Sequence, residues 1–73
     1  MPWMKPVFSS MVSEVGWDDS TNELLVKWAK SGKVSAYGGF DEAKAFELAN
    51  APSVGQMVIT EIKPSGARHR YVG

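Results

Sequence analysis

The residues equipped for chemistry are few. His69 is the only histidine. It stands between Arg68 and Arg70, without the further ligands a metal site needs. An idle, exposed imidazole is the expectation. The chain has no cysteine, so neither a disulfide nor a thiolate metal site is available. Serines are common, but no second histidine or cysteine completes a nucleophile–base pair, which argues against a hydrolase. Asp18 and Asp19 could be read as paired acids, yet neighbouring acids in a stretch such as DDSTN usually shape a turn. Gly38-Gly39 is not followed by the Gly-Lys-Ser/Thr of a phosphate loop. The sequence therefore predicts no enzyme, no catalytic residue, no metal and no cofactor.

Two groups suit binding better. Residues 1–10, MPWMKPVFSS, combine two prolines with Trp3, Met4, Val7 and Phe8. Proline spoils regular hydrogen bonding, whereas a plain disordered arm is poor in aromatics. Residues 1–8 are thus expected as a flexible apolar arm, with two readings open. Val7 and Phe8 tuck against the domain, or the arm binds a partner, since aromatics and methionine are enriched in interface cores. The second reading makes Trp3, Met4, Lys5, Val7 and Phe8 the partner-binding residues. The other group is basic: Lys27, Lys30 and Lys33 in mid-chain, then Lys63, Arg68 and Arg70 in a tail over 63–73. These are the candidates for a nucleic-acid contact. Eight basic and eight acidic side chains cancel, however, and non-specific nucleic-acid affinity comes mainly from neutralised phosphates. Trp17, Trp28 and Tyr37 could form a stacking platform, but their spacing fits core positions at least as well.

The elements that must position these residues fit one small domain. A chain of 73 residues rarely draws more than ~3–5 kcal/mol of net stability from its core. No run approaches the ~20 apolar residues of a membrane span, and the N-terminus does not read as a secretory signal. The lack of cysteine fits a reducing compartment, so a cytoplasmic location is expected.

The organising stretch is Gly38 to Ala51, GGFDEAKAFELANA. Two glycines loosen a turn, Asp41 can cap a helix, and Pro52 disfavours helical geometry at Ala51. At helical pitch Ala45, Phe46, Leu48 and Ala49 share one face. Ahead of it lie three expected strands. Met11 to Trp17 would point Met11, Ser13, Val15 and Trp17 one way, with Gly16 a possible bulge. Glu23 to Trp28 alternates most clearly, with Leu24, Val26 and Trp28 inward. Lys33 to Tyr37 returns after a tight turn at Gly32. Beyond Pro52, Ser53 and Gln56 have capping-box spacing. A short second helix is expected there, although the β-branched run MVIT leaves a strand open for 57–62. Ala67 to Gly73 reads as a tail or a short edge strand. The predicted fold is α+β: a three-stranded antiparallel meander packed on one main helix, followed by a short second helix.

The order of these residues resembles the KTSC domain family, short domains found free-standing or at the C-terminus of some lysyl-tRNA synthetases. The resemblance runs through Ser9 and Ser10, then Gly16, Trp17 and Asp18, then Leu24, Val26 and Trp28. It continues through Gly32, Ser35-Ala36-Tyr37, Ala51, Ser53, Gly55 and Ile62, covering residues 9–62. Ser35 stands where the family has a tyrosine, and Phe40-Asp41 where it has Val-Pro. RNA binding is suggested for the family, and the lost tyrosine weakens base stacking here. The chain is also similar to small phage transcription regulators. That likeness implies binding to host bacterial RNA polymerase, opposition to sigma-dependent initiation and readthrough of terminators. A small RNA-binding module is the alternative.

Overall fold

The computed structural model describes residues 3–51 and 69–72. Its elements are β1 (Trp3–Pro6), β2 (Val12–Asp18), β3 (Glu23–Trp28), β4 (Val34–Tyr37), α1 (Glu42–Ala49) and β5 (His69–Tyr71). The strands form one sheet in chain order, each antiparallel to its neighbours. The α+β class is as expected, but the described sheet has five strands, not three. Both additions are edges: β1 comes from the predicted arm, and β5 from the stretch read as either a tail or a short edge strand. An edge tolerates proline, as at Pro6, because one side of the strand needs no ladder. A three-residue strand such as β5 is too short to show alternation. The second helix expected after Pro52 lies outside the described residues.

β3 forms over the predicted residues. Leu24 and Val26 are fully buried, and Trp28 is half-buried at the strand's end. Gly32 has φ +72°, the left-handed geometry a tight turn between β3 and β4 requires.

β2 departs from simple alternation. Val15 and Trp17 face the core as expected, but Val12 is buried there too and Met11 is exposed. The register explains it: Val12 lies opposite Trp28 and Glu14 opposite Lys27, leaving Ser13 as an extra residue. A bulge of this kind reverses the facing of everything before it. The Ser13 hydroxyl donates to the Lys27 carbonyl at 3.3 Å. The bulge is therefore at Ser13, not Gly16. Gly16 has a different role. It lies opposite Met4, and a Cβ there would overlap the Trp3 carbonyl oxygen and come within 2.5 Å of the Met4 sulfur. Its missing side chain lets β1 pair closely.

α1 begins as predicted. The Asp41 carboxylate accepts from the Lys44 amide at 3.0 Å, satisfying a donor the first turn leaves open. At the other end the Asn50 side-chain amide donates to the Phe46 carbonyl at 2.8 Å. Ala45, Leu48 and Ala49 are buried against the sheet. Phe46, expected on that face, is 53% exposed instead. One residue is a rotation of about 100°, which carries Phe46 to the helix flank. There it stacks on Trp3 of β1, centroids 4.8 Å apart.

Candidate interaction surface

In an antiparallel meander the connections alternate between two ends. The β1–β2 loop (7–11) and the β3–β4 turn (29–33) share one end, joined by a bond from the Ala29 amide to the Met11 carbonyl at 2.9 Å. The loop is held from inside. The Ser9 hydroxyl accepts from the amides of Met11 and Val12, at 3.2 and 3.3 Å. The Val7 amide donates to the Ser13 carbonyl at 3.1 Å, and the Val7 side chain packs against the core. Between these anchors Phe8 points outward, fully exposed. Tyr71 and Val72, at the end of β5, are also exposed here.

The C-terminus of α1 reaches the same end. Lys5 Nζ donates to Asn50 Oδ1 at 2.9 Å. A groove of ≈ 350 Å³ runs between them, bounded by Val7, Phe8, Ala49 and Ala51. On the other side of the loop, a cleft of ≈ 470 Å³ is lined by Ser10, Met11, Trp28 and Lys30. Its floor is fixed: Trp28 Nε1 donates to the hydroxyl of fully buried Ser35 at 2.7 Å.

The predicted partner-binding residues divide. Lys5, Val7 and Phe8 meet at this end. Trp3 does not; it stacks on Phe46, and its Nε1 donates to Glu42 Oε2 at 2.9 Å. Met4 is half-buried beside Gly16 on the sheet face away from α1. Residues 3–6, expected within a flexible arm, are thus an ordered edge strand, because Trp3 gains an aromatic partner and Gly16 leaves room for the backbone.

The basic candidates divide as well. Lys27 pairs with Glu14 at 3.6 Å. Lys33 Nζ lies 5.2 Å from the Tyr71 ring centroid. Arg70 grips Glu23 at 2.6 and 3.1 Å, near the opposite end of the sheet, and that carboxylate holds the guanidinium pKa above its ordinary value. Lys63 and Arg68 lie outside the described residues. Of the four described, Lys30 lines the cleft. No stacking platform forms, since Trp17 and Tyr37 are buried in the core. Burial raises the Tyr37 hydroxyl pKa. His69 is exposed, its ring 4.9 Å from those of both Tyr37 and Tyr71. Among the described residues no His, Cys, Asp or Glu group could hold a metal ion, and no helix is long and apolar enough to cross a membrane. Met11 and the Trp28–Ser35 bond were not legible in the sequence. The bulge exposes the first, and the second depends on cross-strand register.

Among the described residues, an antiparallel meander crossed on one face by α1, with Phe8, Met11 and Lys30 exposed at one loop end, defines a small α+β module. The family model for the KTSC domain matches residues 8–65. The chain belongs to that family, as the residue order over 9–62 suggested. It is similar along its whole length to a crystal structure of a KTSC domain protein from Yersinia pestis, at 25% identity, TM-score 0.82 and full coverage of both chains. No curated protein matches it. The further likeness to phage transcription regulators finds no support in these comparisons.

Proposed function

We propose that this KTSC domain is a protein-binding regulatory module, not an enzyme, and that it contacts its partner through the β1–β2 loop. The observation that carries this is Phe8. An isolated exposed apolar residue is ordinary, but Phe8 is held fully outward by the Ser9 turn, beside a groove and near exposed Met11. Aromatic and methionine side chains so placed are typical interface anchors.

Bacterial RNA polymerase is the first partner to test, on the sequence likeness to phage regulators, and a cytoplasmic location belongs with that reading. Immobilised protein is expected to retain purified bacterial RNA polymerase, and Phe8→Ser to abolish retention without altering the melting temperature. Retention by Phe8→Ser equal to wild type removes the loop as anchor. A small RNA-binding module is a second reading, favoured by Lys30 beside Trp28 in the cleft. It requires binding to a labelled single-stranded RNA that weakens with salt, at a slope of roughly −0.7 per phosphate contact.

A further inference from the structure

The chain is neutral overall, but apart from Lys44 and Glu47, which pair along α1, its described charges are sorted by end. Asp18 ends β2, Asp19 follows it in the connection to β3, and Glu23 opens β3 there. α1 begins at the same end, since Trp3, opposite Trp17, bonds Glu42; this adds Asp41 and Glu42. Arg70 answers Glu23. The opposite end carries Lys5, Lys30 and Lys33, together with the exposed apolar side chains of Phe8, Met11 and Val72. Lys27 and Glu14, nearer this end, answer each other. Among the described residues, a balanced composition conceals one acidic end and one end both basic and apolar.

We infer that the basic end takes an acidic protein segment carrying an apolar side chain. The segment's apolar residue would enter the cleft over Trp28 and Met11, and its flanking carboxylates would meet Lys30 and Lys33. This rests on the protein-binding reading and adds the chemistry of the partner. Opposite charges steer encounter and fix register more than they add affinity, while the apolar contact holds the complex.

Two other occupants fit less well. A second copy could offer its own acidic turn, but Asp19, Ser20, Thr21 and Asn22 bring nothing apolar to fill the cleft. Such head-to-tail contacts also form open chains unless the rotation closes a ring. RNA needs several cations along its backbone and aromatic faces for its bases. Here Trp17 and Tyr37 are buried, and Lys27 and Arg70 already face carboxylates.

The test uses full-length, isotope-labelled protein and a synthetic peptide with a leucine-phenylalanine pair between two runs of glutamate. A control peptide has lysine for each glutamate. NMR shift changes are expected in 7–11 and 29–33 with the acidic peptide and not with the control. The double variant Lys30→Glu, Lys33→Glu should weaken the acidic peptide at least tenfold and allow the control to bind. Absence of binding, equal binding of both peptides, or shifts centred on 18–23 would each overturn the inference. So would a single-stranded RNA or anionic vesicles binding the same end more tightly than the peptide. The outcomes separate from those above. Polymerase retained through Phe8 without peptide binding defeats only the acidic partner. Peptide binding without polymerase retention defeats only the choice of polymerase.

Discussion

Arg70 of β5 holds Glu23 of β3 through two bonds that pass over the strand between them. The Arg70 Nη2 lies 2.6 Å from Oε1, and Nε lies 3.1 Å from Oε2. Arg70 sits opposite Ala36, and Ala36 opposite Leu25, so the guanidinium crosses β4 where the side chain is smallest. Glu23 is 4% exposed, and a carboxylate that buried needs a partner. Arg70→Ala should therefore destabilise measurably, by less than the loss for a fully buried pair because the guanidinium is half exposed. Urea unfolding gives the magnitude. Hydrogen exchange should show β5 released before β3, and unchanged protection at 69–71 would show that the pair does not hold β5.

Gly16→Ala should act on β1 first. The new methyl would overlap the Trp3 carbonyl, and overpacking of this kind costs about 1–3 kcal/mol. The expected result is lost amide protection over 3–5 with β3 intact. A variant with wild-type stability and a paired β1 would contradict the close approach.

Trp28→Ala removes a half-buried indole and its bond to the buried Ser35 hydroxyl. Truncating a core aromatic costs ~3–5 kcal/mol, about all the stability expected of a core this small. Circular dichroism melts should find it unfolded or nearly so. Lys27→Ala should change stability by at most about 1 kcal/mol, since its pair with Glu14 is partly exposed. Trp3→Ala should also destabilise measurably, because Trp3 joins β1 to α1 through Phe46 and Glu42. A Trp3→Ala melt equal to wild type would return residues 3–6 to the role of a loose arm.

Asp18 makes the fold acid-sensitive at one turn. The Ser20 hydroxyl and amide donate to its carboxylate at 2.6 and 3.0 Å, lowering its pKa from 3.8. The unfolded chain then binds the proton more readily, so stability rises with pH through this window. The contribution is complete above the unfolded value and is lost as pH falls through the folded one. Asp18→Asn should flatten that part of the acid dependence. NMR titration should place the Asp18 midpoint below 3.8; a midpoint at or above it would mean that the turn does not favour the charged form.

Phe8→Ser should leave stability within about 0.5 kcal/mol, as surface changes do, since Phe8 is fully exposed. A larger loss in a urea titration would show that Phe8 packs against the domain and is not free to anchor a partner.

Local patterning determined the centre of this protein. Alternation over Glu23 to Trp28 is read directly from residue type, because side chains in a strand have period two. Asp41 as cap and Ala45, Leu48 and Ala49 as the buried helix face follow from helical pitch in the same way. The residue order over 9–62 likewise carried the family. Only the tertiary structure decided the edges and the candidate surface. Trp3 and Phe46 are far apart in sequence and meet because β1 runs beside α1, so neither the ordered arm nor the displaced phenylalanine is a local property. The bulge at Ser13 exists only as a register between two strands, and it is what buries Val12 and exposes Met11. The sorting of a neutral composition into an acidic and a basic end belongs to the meander, which brings alternate connections to the same end.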